Sequence, residues 1–131
     1  MPKVKIYRHS EQMKTDQRGW AFFPFQAGPD VRPPCDTESL HLVMSEPGAV
    51  RGNHFHHHSA EWFCVFGGRA ELYYEEEGIV QTVLVDRDDL VIHIPAGVPH
   101  AVKNIGTTPV YLLAFRENAE GDPHTNPYPL V

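Results

Sequence analysis

Three residues near the middle of the chain have the types and spacing of metal ligands. His54 and His56 are two apart, so on an extended strand both imidazoles point to one face. Glu61 begins an apolar run, and a tight turn before that run would return its carboxylate beside the two histidines. Two neutral imidazoles and one carboxylate form a ligand set for a divalent transition metal.

A second stretch supplies a fourth candidate ligand. An apolar strand runs up to Pro95, residues 95–99 have turn composition, and His100 begins the next strand. Two other interpretations of the histidine-rich stretch are a purification-tag scar and an incidental solvated loop. Tags lie at chain termini, whereas this cluster is internal, and the downstream match with His100 argues against an incidental loop.

These residues fall into two motifs that resemble those of the cupin superfamily. The first motif reads Gly, five residues, His-x-His, three or four residues, Glu, six residues, Gly, and it is matched by Gly48, His54, His56, Glu61 and Gly68. The second is matched by Pro95, Gly97, His100 and Asn104, whereas Asp89 stands in place of its first glycine. This departure lies in a turn and does not affect a ligand.

The resemblance implies an all-β chain folded as a double-stranded β-helix, the cupin jelly-roll barrel. We expect one domain over residues 1–131, with a barrel core at about 38–117, N-terminal strands within 3–25 and a C-terminal coil at 118–131. The pattern of the chain agrees, because short apolar segments recur from Leu40 onward with Gly, Pro and Asp between them. Residues 9–19 are expected to form a loop or one helical turn. The aromatic segment Trp20–Phe25 is a candidate strand. Pro24 would place it at the edge of a sheet, because proline has no N–H to donate to a neighbouring strand.

Composition excludes several classes of function. Hydrophobic residues make up 41% and charged residues 21% of 131 residues, which is typical of a single globular domain. The net charge is −6 without any basic block, so no nucleic-acid partner is expected. No apolar run is long enough to cross a membrane, and no signal-peptide core is present, so we expect a cytoplasmic protein. Cys35 and Cys64 form no Cys-x-x-Cys pair, consistent with reduced thiols.

A narrower resemblance concerns residues 51–57, Arg-Gly-Asn-His-Phe-His-His, with Glu61 seven residues after His54. This stretch is similar to the C-terminal cupin domain of bifunctional capsular-polysaccharide sugar-nucleotide enzymes, a zinc-dependent epimerase domain that acts on a 4-keto sugar nucleotide. The resemblance implies an isomerase or epimerase of polysaccharide or deoxysugar biosynthesis. Arg-Gly-x-His also recurs in deoxysugar epimerases and ketoisomerases, where the Arg and His face the substrate. Arg51 and its neighbour Asn53 are therefore the predicted substrate-binding residues.

The chemistry expected of such a site is proton transfer next to a ketone. A metal can stabilise the enolate oxygen, and a base with a pKa near neutrality can then move the proton. His57, His58 and Tyr73 are candidate bases, with a solvated or packed side chain as the alternative for each. Arg51 suits a diphosphate because its guanidinium is planar, and a surface salt bridge is its alternative role.

Three functions remain open at this point. The first is the isomerase or epimerase, the second a dioxygenase with non-haem iron in the same ligands, and the third a non-catalytic cupin that binds a small molecule. The expected cofactor is one divalent transition metal, with zinc, nickel, manganese and iron all compatible. We also expect a homodimer, with the aromatic segment Trp20–Phe25 as the contact surface.

Overall fold

The structure, a computed structural model, describes residues 3–17, 19–26, 39–117 and 125–131. Within these ranges the chain forms twelve strands and one short 3-10 turn at Ser10–Gln12. The strands are β1 (Lys5–Arg8), β2 (Met13–Asp16), β3 (Gly19–Phe22), β4 (His41–Ser45), β5 (Val50–Phe55), β6 (Glu61–Phe66), β7 (Ala70–Glu76), β8 (Ile79–Val85), β9 (Leu90–Ile94), β10 (His100–Asn104), β11 (Val110–Arg116) and β12 (Asn126–Pro127).

Two antiparallel five-stranded sheets make up the barrel. The first sheet has the order β1-β9-β6-β11-β4, and the second has the order β12-β5-β10-β7-β8. Strands β2 and β3 pair separately as a two-stranded ribbon. Neighbours in each sheet are mostly distant in sequence, so the chain crosses repeatedly between the sheets. The predicted all-β jelly-roll architecture is confirmed.

The core fills the space between the two sheets. On β11, Val110, Leu112 and Ala114 are buried, and the residues between them point the other way. This period of two gives each strand one apolar inner face. Burial of the inner faces removes large apolar side chains from water, which is the main stabilising contribution to the fold. The largest such side chains are Phe63, Leu72, Ile92, Ile94 and Val65.

Asn104, from the second cupin-like motif, has a structural role. Its amide nitrogen donates to the carbonyls of Ser45 (3.0 Å) and Thr108 (2.9 Å). Its amide oxygen accepts from the backbone N–H of Gly106 (2.9 Å). The buried side chain therefore joins the end of β4 to the turn that follows β10, with its polar atoms satisfied.

Asp89, which stands in place of the motif glycine, is buried in the turn before β9. It accepts hydrogen bonds from the guanidinium of Arg87, one of them at 2.7 Å. This hydrogen bond lowers the pKa of Asp89. The carboxylate of Asp89 is thus paired with a neighbouring side chain of the same turn. Strand β9 then begins at Leu90, where the sequence predicts it.

The N-terminal region is more regular than the sequence predicts. The stretch expected to be a loop or helical turn contains the 3-10 turn and also β2, which pairs with β3. Strand β3 ends at Phe22, so Pro24 lies in the turn beyond it and not in an edge strand. Phe25 then packs against Trp62 and Phe115 on the outer face of the first sheet.

The tail also differs from the expected coil over 118–131. Asn126 and Pro127 pair with Phe55 and His54 and so add β12 to the edge of the second sheet. Residues 118–124, residue 38 and Cys35 lie outside the described residues. Cys64 is buried, and that burial raises its pKa to about 12. No helix among the described residues has the length and hydrophobicity needed to cross a membrane.

Candidate metal centre

The fold brings the four predicted ligands together from three strands and one loop. His54 lies on β5, His56 directly after it, Glu61 begins β6 and His100 begins β10. One ligand atom from each of the four lies within 4.8 Å of the others. The cluster therefore bridges the two sheets at one end of the barrel.

The distances within the cluster suit a common ion. The Nε2 atoms of His56 and His100 each lie 3.4 Å from Oε2 of Glu61. Two ligands bonded to one ion at about 2.0–2.2 Å are roughly 3 Å apart. The ring of His54 is centred 4.9 Å from that of His56 and 4.8 Å from that of His100.

His100 has the contacts of a histidine prepared for a metal. Its Nδ1 lies 3.0 Å from the carbonyl oxygen of Val98, and a carbonyl can only accept, so Nδ1 carries the proton in the neutral ring. The lone pair is then on Nε2. This atom is buried and has no hydrogen-bond partner within the described part of the chain. A buried lone pair facing a carboxylate is unfavourable without a cation, and a fixed tautomer is typical of metal-binding histidines.

The protonation states favour a cation as well. Burial alone would raise the pKa of Glu61, but the rings of His100 and His56, each 3.4 Å from its Oε2 atom, hydrogen-bond to the carboxylate when they are protonated and so hold that pKa well below its usual range. Burial, reinforced by the charge of His100, lowers the pKa of His54 from 6.5 to about 4. Near neutral pH the site thus offers an ionised carboxylate and a neutral imidazole, the forms that bind metals. These donors fit a divalent transition ion.

An apolar recess of about 250 Å³ opens on one side of the cluster. The predicted ligands His54, Glu61 and His100 form part of its wall, and Arg51 lies on the same wall. The remaining side chains come from inner faces of both sheets. They are His41, Val43, Phe63, Val102, Leu112 and Ala114.

A second recess of about 380 Å³ lies against the same cluster and is more polar. Its wall combines the predicted ligands His54, His56 and Glu61 with other side chains, most of them polar. These are Ser39, His41, Arg116 and Thr125. Both recesses share His41, His54 and Glu61, so the candidate metal site has two sides from which a small molecule could approach.

His41 is a site residue that the sequence analysis missed. It lies at the start of β4, and its Nδ1 is 2.7 Å from the carbonyl oxygen of Ser39. Because that carbonyl can only accept, the proton is on Nδ1 and the lone pair on Nε2. Arg116, also missed, lines the polar recess and donates to Oγ of Ser59 (2.9 Å). Neither residue belongs to a local motif, so only the strand pairing places them here.

The two predicted substrate-binding residues, Arg51 and Asn53, have different surroundings. Arg51 lines the apolar recess and donates to the carbonyl of Met44 (2.9 Å). The amide of Asn53 is engaged by the tail, donating to the carbonyl of Val131 (2.9 Å) and accepting from the N–H of Leu130 (2.8 Å).

The three candidate bases are not among the described residues that line either recess. His57 and His58 are exposed beyond the end of β5, and the ring of His57 packs against Phe55. On β7, Tyr74 lies opposite His100 and packs against the core, so its neighbour Tyr73 points to the other face of the sheet.

Comparison with known families places this site in context. The profile of the family described as "Polysaccharide biosynthesis C-terminal domain" matches residues 14–125. Among curated proteins, the chain is 33% identical over 87 residues to oxalate decarboxylase OxdC of Bacillus subtilis, a match over 65% of this chain and 22% of that protein. It is 38% identical over 77 residues to the xanthan biosynthesis protein XanB of Xanthomonas campestris, a match over 59% of this chain and 15% of that protein. The chain thus spans about a fifth or less of these relatives.

Solved structures agree on the fold. A structure of CapF with the inhibitor 3-isopropenyl-tropolone matches with a TM-score of 0.60 and 26% identity, over 70% of this chain and 28% of that chain. A double mutant of the 3,4-ketoisomerase QdtA from Thermoanaerobacterium thermosaccharolyticum, in complex with TDP, matches with a TM-score of 0.70 and 13% identity, over 91% and 84% of the two chains. The predicted membership of the cupin superfamily is confirmed.

Proposed function

Because the chain belongs to the family of polysaccharide biosynthesis C-terminal domains, we propose that it is a metal-dependent cupin that isomerises or epimerises a keto sugar nucleotide. The observation that carries this proposal is the position of Arg51 on the wall of a recess that also contains three of the four clustered ligands. A sugar nucleotide has a diphosphate and a reactive carbonyl, and this wall offers a partner for each.

The size of the apolar recess limits what it can hold. At about 250 Å³ it is slightly smaller than the roughly 300–1,000 Å³ of ordinary ligand pockets. A sugar ring would therefore occupy the recess, while the nucleotide would lie outside along the opening. Arg51 would pair with the diphosphate through its planar guanidinium. Phe63, Val102 and Leu112 would exclude water from the ring, which strengthens electrostatic interactions at the reacting carbons.

His54, His56, Glu61 and His100 would hold the metal. The chemistry that a divalent ion supplies in such a site is Lewis-acid stabilisation of negative charge on a ketone oxygen. The residues of the chain must then move one proton. We assign this step to His41, because it borders both recesses and its lone pair is on Nε2.

The step balances without a further reagent. The C–H bond next to the ketone breaks, its electron pair forms the enolate double bond, and the proton moves to Nε2 of His41. Return of a proton from water to the same carbon, on the opposite face, gives the epimer. Addition of the proton to the former ketone carbon, with transfer of the hydroxyl proton of the first carbon to the enolate oxygen, instead moves the ketone. His57, His58 and Tyr73 remain candidate bases with less geometric support.

Deuterium wash-in tests the proposal directly. The protein, loaded separately with zinc, nickel, manganese or ferrous iron, would be incubated in D2O with TDP-4-keto-6-deoxyglucose, the ligand named in a QdtA complex, and with other 4-keto sugar nucleotides. We expect deuterium next to the ketone by NMR in at least one metal form. We also expect its loss in His41→Gln at unchanged metal content. Absence of both exchange and nucleotide-sugar binding in every metal form would contradict the proposal.

A second candidate is an oxygen-dependent or decarboxylating reaction on a small carboxylate, with iron or manganese in the same ligands. The match to oxalate decarboxylase over 65% of this chain favours it, and a small recess with one arginine suits a small dianion. Release of carbon dioxide from oxalate, or oxygen uptake by the iron form, would identify this chemistry. Binding of a sugar nucleotide without any exchange would instead indicate a non-catalytic binding domain.

A further inference from the structure

Strand β5 contains an irregularity next to the metal cluster. In its pairing with β10, His54 lies opposite His100 and Gly52 lies opposite Ala101, so Asn53 is an extra residue without a partner. Asn53 has a φ of 55° and Gly52 a φ of 94°, both in the left-handed region. This is a β-bulge, and asparagine and glycine are the residues that adopt such angles most readily.

The bulge changes the directions of the Arg51 and His54 side chains relative to each other. Arg51 and His54 are three apart, and on a regular strand an odd separation places side chains on opposite faces. Both nevertheless line the apolar recess. Their partners across β10, Val102 and His100, line it too, as expected when the extra residue resets the alternation. The bulge therefore brings the predicted diphosphate partner and the first predicted ligand to one wall.

The tail of the chain holds the bulge. Oδ1 of Asn53 accepts from the backbone N–H groups of Leu130 (2.8 Å) and Val131 (3.3 Å), and Nδ2 donates to the carbonyl of Val131 (2.9 Å). The carbonyl of Asn53 accepts from the N–H of Tyr128 (2.7 Å). Three residues of the tail thus hydrogen-bond to one bulged residue.

The same segment flanks His54 directly. Pro127 pairs with His54 in β12, on the side of β5 opposite β10. The hydroxyl of Tyr128 donates to Oε2 of Glu75 (2.7 Å), which fastens the segment to β7. His54 is therefore enclosed between His100 on one side and the tail on the other.

We infer that Asn53 is a positioning residue for the metal centre: its amide binds Leu130 and Val131 to the bulge and so fixes the direction of His54. This inference rests on the metal centre of the proposed function, but not on the substrate or the reaction. Groups that hydrogen-bond directly to a ligand typically contribute about 10–100-fold to metal affinity, and we expect the lower end of that range for the indirect contact made by Asn53. Asn53 thus acts through the tail and His54, and not through contact with substrate.

Co²⁺ binding to the metal-free protein tests the inference, because the visible spectrum of Co²⁺ reports on ligand number and geometry. Asn53→Gly is the informative variant, since glycine keeps the left-handed backbone and removes only the amide. We expect a loss of Co²⁺ affinity of about tenfold or more, with a changed spectrum. Tyr128→Phe is the matched control, because it removes a tail hydrogen bond that does not involve Asn53, and we expect its affinity to stay within about twofold of the wild type.

A variant ending at Thr125, which removes the whole segment 126–131, covers the case in which Asn53→Gly folds poorly. We expect it to reproduce the spectrum of Asn53→Gly, with β-sheet content checked by circular dichroism. Wild-type affinity and spectrum in Asn53→Gly, whatever its thermal stability, would overturn the inference. Failure of the wild type to bind Co²⁺ would overturn the metal centre itself, whereas Co²⁺ binding without any deuterium exchange would count only against the proposed reaction.

Discussion

At the scale of single residues, His56 is the predicted ligand with the simplest expected effect on substitution. It is buried beside Glu61, and its removal deletes one of four donors. We expect His56→Ala to lose most bound metal, as measured by elemental analysis of protein purified without added salts. His57→Ala is the matched control, because the neighbouring ring is exposed and lies outside both recesses. Full occupancy in His56→Ala would refute the ligand assignment.

Arg51 gives a prediction about the substrate. A charge-assisted hydrogen bond contributes about 1.5–3 kcal/mol, so Arg51→Ala should weaken binding of a nucleoside diphosphate roughly tenfold or more. Metal content should not change. Arg51→Lys should recover only part of the affinity, because lysine lacks the planar pair of donors. Calorimetry measures each dissociation constant. Arg69→Ala is the control, because Arg69 is exposed and lies outside the recesses. Equal affinity in Arg51→Ala and the wild type would remove Arg51 from the binding site.

Single residues also show how far the sequence alone could predict the site. The clustering of His54, His56, Glu61 and His100 was predictable because residue spacing within a motif is a local property. His41 was not, since its place at the site depends on the pairing of β4 with β11, and nothing near it in sequence indicates that pairing. Asn53 was assigned to substrate from its motif, although the partners of its amide lie more than seventy residues away.

At the scale of elements, the bulge in β5 explains why a glycine is needed at position 52. A Cβ there would lie 2.8 Å from the carbonyl oxygen of His100, and the φ of 94° is already strained for other residues. The sequence predicted a regular strand through His54 and His56. The bulge was missed because both of its causes, the close approach of β10 and the contact with the tail, are long-range.

Comparison of Gly52 with Gly48 separates the strain of a positive φ from the steric effect of the close approach of β10. Gly52→Ala and Gly48→Ala both place alanine at a positive φ, but a Cβ at Gly48 meets no atom within 4 Å. We expect both variants to lose roughly 1–3 kcal/mol of unfolding free energy. Only Gly52→Ala should also displace His100 and lose metal affinity, by about tenfold or more. Denaturant unfolding and metal titration measure the two effects, and equal metal affinity in both variants would contradict this account of the bulge.

At the scale of the whole molecule, stability depends on the layer between the sheets. Leu72 on β7 is fully buried and lies opposite Val102 and Val83 in the neighbouring strands. We expect Leu72→Ala to cost about 2–5 kcal/mol, since the cavity it leaves cannot fully close. Leu84→Ala, on β8 and 46% exposed, is the control and should change stability by less than about 1 kcal/mol. Urea unfolding compares them, and similar losses would mean that the core does not lie between the sheets as described.

The predicted homodimer remains a prediction, with a changed contact surface. Phe25, expected at the interface, packs within the chain, whereas Leu42 on β4 is 74% exposed. Met44 and Tyr111 lie beside it on the same outer face and are also exposed. Such a patch favours self-association.

Light scattering at micromolar concentration should give twice the chain mass of 14.8 kDa. Leu42→Lys should reduce that value to the monomer mass, whereas Ile79→Lys, an exposed apolar residue on the other sheet, should not. A monomeric wild type would end the dimer proposal.

The two recesses that border the cluster of predicted ligands have different linings, and this affects how the protein can evolve. Val43, Val102 and Leu112 line only the apolar recess, and Ser39, Arg116 and Thr125 line only the polar one. None of the six belongs to the ligand cluster. Mutations at these six positions can therefore reshape either recess without changing any of the four predicted metal ligands. Under the proposed function, acquisition of a new substrate and loss of the metal can therefore be selected independently.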